Sequence, residues 1–205
     1  MEEELDLYKT LSGKSRGLYK DKGSKFISFA YPLISTEEIK EILLILKKEY
    51  YDARHICYAY VLGSDRKDFR AVDDGEPSST AGKPILGQIN SHELTNVVIF
   101  VIRYFGGTKL GVPGLINAYK KAALDAISNN VIEDKTVDVY FKISFDYLKM
   151  NDVMKLIKDH NLIMNNQEFN NLCSIDLKIR KSEYSLIKSK IEKIGEIVID
   201  NITIS

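Results

Sequence analysis

Tryptophan is absent from the 205 residues, and cysteine and histidine are scarce at two and three. Two cysteines, Cys57 and Cys173, cannot build a disulfide framework or, without other ligands, a zinc site. They fall in different halves of the chain, so both are expected to be separate buried thiols. Neither charge is in excess: 29 Lys and Arg balance 29 Asp and Glu. No whole-molecule field therefore draws in nucleic acid or anionic lipid, and any anion site must be local. No apolar run reaches the ~18 to 20 residues that cross a bilayer. The opening Met1-Glu2-Glu3-Glu4 is acidic where a signal peptide carries positive charge. A cytoplasmic protein without a membrane partner is expected.

What is present is an ordinary globular composition, 44% apolar and 28% charged, enough to bury a core in each of two units. Gly17 to Lys20 and Lys25 to Tyr31 read as strands, the second ending at Pro32. Ser35 with Glu38 forms a capping box, and Ile39, Ile42, Leu43 and Leu46 follow at helical spacing, which predicts a helix over 36–50. Arg54 to Leu62 reads as a strand paired to the one before it, and Gly63 to Arg70 as a polar loop. Asn96 to Phe105 is nearly all β-branched or aromatic, so a central strand buried on both faces is expected. A helix follows over 112–128, and Glu133-Asp134-Lys135 reads as a polar connection between domains.

Beyond that point the pattern becomes regular. Val139, Phe141, Ile143 and Phe145 alternate as a strand, and a helix carries Val153, Leu156, Ile157 and His160. Strands over 162–169 and 173–180 join across Asn170-Asn171, with Ile175, Leu177 and Ile179 inward. A helix from Glu183 to Ile194, stopped by Gly195, and a final strand over 196–204 complete a βαββαβ order, the ferredoxin-like arrangement. The expected domains are therefore 1–133 and 137–205, and the fold class is α+β. His160 and Cys173 sit on apolar stripes and read as core.

Chemistry concentrates between Asp73 and Tyr119. Asp73, Asp74 and Glu76 can hold a hard cation through oxygen, or cap the helix expected near Ala81, a use that also suits Ser79 or Thr80. The run Arg103-Tyr104-Phe105-Gly106-Gly107-Thr108-Lys109-Leu110-Gly111 ends a buried strand and precedes a helix, where a glycine-rich turn turns amide N–H groups toward an anion. It is neither a P-loop nor a dinucleotide fingerprint. Arg103, Lys109, Lys120 and Lys121 occur there with no acid between 103 and 121. Lys83 adds a cation upstream. His55 and Cys57, two apart on a strand, share a face; a Cys-His nucleophile pair needs that face open, whereas a buried histidine beside a buried thiol does not.

Taken together, the segments 53–60, Asp73-Asp74-Gly75-Glu76-Pro77 with Thr80 to Leu86, and Arg103 to Gly111 resemble the signature of the IMPACT/YigZ family over about residues 14 to 130. The remainder is similar to the second domain of its bacterial members. Two positions depart from the family pattern, Ser79 and Pro113, each standing where glycine is usual. The resemblance implies a first domain of βαβ type, like a ribosomal-protein domain and the fourth domain of the translocating elongation factor, with a left-handed crossover. It implies a second domain like that factor's fifth. In the eukaryotic regulators of the family a different, N-terminal module binds the activator of a translation-stress kinase; that module has no counterpart in this sequence, so the activity does not carry over.

Two functions follow as expectations. The first is a binding protein that docks on RNA, the ribosome or a translation factor, without DNA sequence readout, through Lys83, Arg103, Tyr104, Gly106, Gly107, Thr108, Lys109 and Gly111. The alternative is an enzyme acting on a phosphorylated or nucleotide ligand, with magnesium held by Asp73, Asp74 and Glu76 while the Gly106 to Gly114 turn receives phosphate; His55 joins these acids as the candidate metal or polar cluster.

Overall fold

A computed structural model describes residues 6–170 and 172–204; the acidic opening and Asn171 of the expected hairpin connection lie outside them. The chain divides into two compact units, Tyr8–Lys135 and Thr136 onward, and the second also takes in Asp6 and Leu7. Both are mixed α and β, with five α-helices in all among the described residues.

The first unit runs β1 (Leu7–Leu11), β2 (Ser15–Asp21), β3 (Ser24–Pro32), α1 (Thr36–Glu49), β4 (His55–Leu62), β5 (Asp68–Val72), α2 (Gly82–Ser91), β6 (Val97–Tyr104), α3 (Gly111–Ser128) and β7 (Ile132–Thr136). β1 pairs with β7, and the others form an antiparallel sheet in the order β2-β3-β6-β4-β5. β6 is central, as its unbroken apolar run demands, and its residues from Val97 to Ile102 are fully buried. That position corrects the pairing expected for β4: Phe100 of β6 stands between Phe29 of β3 and Tyr58 of β4, so the two never meet. The expected loop over 63–70 is partly strand β5, and the expected connection at Glu133 to Lys135 lies inside β7. Both strands are largely exposed and owe their form to pairing rather than burial.

Helices cover both faces of this sheet. On one, α1 sets Ile39 and Leu46 over Ile27, Phe29, Ile56, Phe100 and Ile102. Its start is the capping box read from sequence: Ser35 Oγ accepts the Glu38 N–H at 3.3 Å, and Glu38 Oε1 accepts the Ser35 N–H at 3.1 Å. On the other, α2 and α3 bury Ile85, Ile89, Leu115, Tyr119 and Ala122 against Phe26, Cys57, Ala59 and Val101. The free edge at β2 is closed by side chains of α3 and its C-terminus: Leu18 N–H donates to Asp125 Oδ2 at 2.8 Å, and the Asn129 amide donates to the Arg16 carbonyl at 3.0 Å. Those bonds occupy groups that would otherwise recruit a foreign strand.

The second unit runs β8 (Asp138–Asp146), a 3₁₀ turn (Tyr147–Lys149), α4 (Met150–Asp159), β9 (Ile163–Phe169), β10 (Leu172–Arg180), α5 (Lys181–Ile194) and β11 (Ile197–Ile204). Its sheet has the order β11-β8-β10-β9, and β10 turns Cys173, Ile175, Leu177 and Ile179 inward as the alternation predicts. His160 departs from expectation. It ends α4 half-buried, outside the core, where its Nε2 accepts from Lys190 Nζ at 2.7 Å. Asp6 is bound into this unit by Arg180, whose Nε and NH2 each lie 3.1 Å from its carboxylate, and by Ser182 Oγ. The Ser182 hydrogen bond and the Arg180 charge hold the Asp6 carboxyl below the ordinary carboxylate range against the cost of desolvation. No helix among the described residues is long and apolar enough to cross a membrane.

Because each unit encloses its own apolar clusters, a fragment spanning Tyr8–Lys135 is expected to unfold cooperatively by itself when followed by circular dichroism in urea. A broad, non-cooperative loss of signal would show that it depends on the rest of the chain.

Candidate functional site

The three motifs converge where β6 ends and α2 and α3 begin. Asp73 closes the start of α2: its Oδ2 accepts the Ser79 N–H at 2.8 Å, and its Oδ1 accepts the N–H groups of Ala81 and Gly82 at 3.0 and 2.8 Å. The helix has no side-chain cap at its own N-cap, Ala81. Neither Ser79 nor Thr80 caps it; Thr80 Oγ1 donates instead to the Pro77 carbonyl at 2.6 Å. Burial raises the Asp73 carboxyl, but the N–H groups of Ser79, Gly82 and Ala81 and the charge of Lys83 outweigh it and hold the group below its ordinary range. Asp74 Oδ2 accepts the Ile56 N–H at 2.7 Å, while its carbonyl accepts from His55 Nδ1 at 2.7 Å.

Glu76 faces inward. Its Oε1 lies 2.6 Å from Arg103 NH1 and accepts the Tyr119 hydroxyl at 2.8 Å. Glu76 and Arg103 are each 8% exposed and Tyr119 not at all. The Arg103 guanidinium stands 5.6 Å from the Phe26 ring and 5.7 Å from that of Phe105, and its Nε is buried without a hydrogen-bond partner among the described residues. Cys57 Sγ lies 3.3 Å from the Tyr119 oxygen and 3.0 Å from the Asp73 carbonyl. Burial pushes both the Tyr119 hydroxyl and the Cys57 thiol up, which disfavours the thiolate. His55, expected to be buried beside it, is half-exposed and bonded to Asp74.

Asp73, Glu76 and the bonded pair of His55 and Asp74 are thus committed to three separate tasks. Among the described residues no three His, Cys, Asp or Glu gather as metal ligands. The acids serve as a cap, a strand bracket and one half of a buried ion pair. Arg103, expected at the surface, is instead enclosed by Glu76 and two rings. Tyr104 donates its hydroxyl to Asp52 at 2.6 Å, and that bond, with burial, pushes its pKa up to about 12.

The surface element is the turn from β6 into α3. Gly106 has no room for a side chain: a Cβ would lie 1.9 Å from the Gly23 carbonyl carbon, and its N–H donates to Ser24 Oγ at 3.1 Å. Phe105, Gly107, Thr108, Lys109 and Gly111 face water, as does Lys83 on the first turn of α2. α3 begins without a side-chain cap or an acid in its first turn, and Pro113 sits within that turn without disturbing it. Sequence reasoning placed Phe105 at the end of the buried strand, but β6 stops at Tyr104 and leaves the ring 58% exposed. The hub role of Tyr119 was also missed; its place on the apolar stripe of α3 showed burial but not the hydroxyl's partner.

Two consequences can be measured. Replacing Asp73 by Asn leaves one acceptor oxygen where two now serve, and is expected to cost about 1 kcal/mol of stability at neutral pH. Its folded pKa is depressed, so the carboxylate's contribution is present above the unfolded value near 3.8 and vanishes as pH falls through the folded one. Urea melts of wild type and Asp73→Asn should therefore converge in strong acid; a constant gap would contradict the cap. Ser79 holds a left-handed φ of 66°, which suits the glycine usual there. Ser79→Gly should raise stability by up to about 1 kcal/mol, and a loss on thermal melting would refute the strain.

Residues 22–127 match the Impact N-terminal domain, about half of the chain. The chain is 30% identical over 161 residues to the IMPACT family member YvyE of Bacillus subtilis, covering 78% of this chain and 74% of that protein. It is 33% identical over 150 residues to an IMPACT family member of Haemophilus influenzae, covering 72% and 73%. A crystal structure of a hypothetical protein superposes with a TM-score of 0.72 over 97% of this chain and 98% of that one; at 24% identity it speaks to the fold alone. With the family domain spanning the site and relatives matched along most of their length, the chain belongs to the IMPACT family.

Proposed function

We propose that the protein works by binding rather than catalysis, docking on RNA or an RNA-bearing part of the translation machinery through the exposed turn at 105–111 and Lys83. The carrying observation is the division of labour in the motifs: Glu76, Arg103 and Tyr119 turn inward as a scaffold and Asp73 and Asp74 are engaged by backbone N–H groups, while Lys109, Thr108 and Phe105 remain at the surface. The Cys57 thiol is buried and raised, and Asp73, Asp74 and Glu76 are engaged by backbone N–H groups and by Arg103 and Tyr119, which supports binding over catalysis. An uncapped helix start beside Lys109 suits phosphate, and an exposed ring suits an unstacked base. The family's likeness to adjoining domains of the translocating elongation factor directs this reading to translation.

A second reading, docking of a protein partner, draws on the second unit. Tyr147, Leu148, Phe169 and Leu172 are exposed there, and three of them, Tyr147, Phe169 and Leu172, line an open depression with Asn170.

Co-sedimentation with ribosomes or RNA across a salt series separates these readings. Lys109→Ala is expected to leave folding intact and to flatten the fall of log affinity with log salt by roughly 0.7 to 0.9, one phosphate contact. Arg103→Ala, by contrast, should cost about 3 kcal/mol or more of stability by stranding Glu76. Absence of salt-dependent association by the wild type would overturn the RNA reading and favour docking of a protein partner.

A further inference from the structure

Residues 13–25 carry five cations, Lys14, Arg16, Lys20, Lys22 and Lys25, against one acid, Asp21, in a chain of zero net charge. Strand geometry puts them in a row. Ser15, Gly17 and Tyr19 of β2 face α3, so Arg16, Leu18 and Lys20 alternate onto the other face, beside Phe29, Ile27 and Lys25 of β3. α1 covers the inner strands of that face, and Arg16, Leu18 and Lys20 remain exposed. The Lys14 ammonium lies 5.2 and 5.1 Å from the rings of Phe29 and Tyr31, and the Arg16 guanidinium 5.7 Å from Phe29. Ring faces, not acids, hold these two cations: among the described residues none of the five pairs with a carboxylate. Glu49, which like Arg16 acts on Tyr50, is engaged with the Tyr50 hydroxyl.

Cations on an edge strand commonly serve to repel foreign strands. Here Asp125 and Asn129 already occupy the edge, so that purpose does not account for the row. Its direction is informative. β2 turns through Lys22 and Gly23 onto Gly106, so the row runs into the turn that bears Lys109 and Phe105.

We propose that β2 and the glycine turn form one continuous track for the phosphate backbone of a single-stranded RNA, a proposal that rests on the docking reading above and extends its site. Alternate residues of a strand repeat every ~6.6 Å, and the eight steps from Lys14 to Lys22 span about 26 Å. A track of that length meets several successive phosphates of a single strand, with Phe105 at its end offering a face to an unpaired base. A single phosphate would need only the turn; a line of cations this long fits a polymer.

The test is fluorescence anisotropy with a labelled uridine oligonucleotide of about 12 nucleotides, longer than the track, across a salt series. Six cations, the five with Lys109, predict a slope of log affinity on log salt near −4 for the wild type. The Arg16→Gln/Lys20→Gln pair should reduce it by about 1.4 and Lys109→Ala by about 0.7, with thermal melts unchanged. If the paired variant keeps the wild-type slope while Lys109→Ala lowers it, the track is wrong and the turn reading stands. If the wild type shows no salt-dependent binding, both fail. Binding to phosphatidylserine vesicles with none to the oligonucleotide overturns the track in favour of a membrane surface.

Discussion

The rest of the first unit depends on the ion pair between Glu76 and Arg103. Two charges removed from water cost several kcal/mol each after relaxation, and the cost is recovered only where geometry is close and remaining polar atoms are bonded. Glu76 meets that condition by accepting from both Arg103 and Tyr119. Arg103 is supported by the faces of Phe26 and Phe105, which tolerate a guanidinium better than a compact ammonium. The pair therefore fixes three elements at one point: the end of β6, the middle of α3 and the loop that leads into α2.

From that point the order of the surface follows. With Glu76 held, the loop from Asp73 to Thr80 has a fixed course, and Asp73 reaches the free N–H groups at the start of α2. With Arg103 held, the chain leaves β6 in one direction, which brings Gly106 onto Gly23 at a separation that admits no side chain. The turn bearing Phe105 and Lys109 is thus anchored from beneath and from the β2–β3 side. A binding surface prepared in this way loses little conformational freedom when a ligand arrives.

How far the sequence disclosed this architecture differed by element. α1, α3 and the whole second unit were legible because burial sets their periodicity: the capping box of Ser35 and Glu38 and the alternation of β10 appear unchanged in three dimensions. β1, β5 and β7 were not: all three are short, β5 and β7 are mostly exposed, and β1 and β7 are defined by pairing with each other across the length of the unit. The site was legible as a set of residue types but not as inward or outward. Arg103 carries the same sequence signature whether it meets a phosphate or Glu76, and only the fold, which brings residues 27 positions apart together, decides. His55 and His160 repeat the point, each lying on an apolar pattern yet half-exposed and bonded to a polar partner. Ser79 and Pro113, by contrast, could be evaluated at once: the first sits at a left-handed position, the second in a first helical turn.

The central claim, that Glu76 and Arg103 act as one buried unit, is tested most directly by a double-mutant cycle in urea with Glu76→Gln, Arg103→Met and both together. The account predicts that each single variant loses several kcal/mol and that the double variant loses less than their sum by roughly 1 to 3 kcal/mol, since removing both charges strands neither. Strictly additive losses would mean that the two side chains contribute independently, and the scaffold described here would not hold.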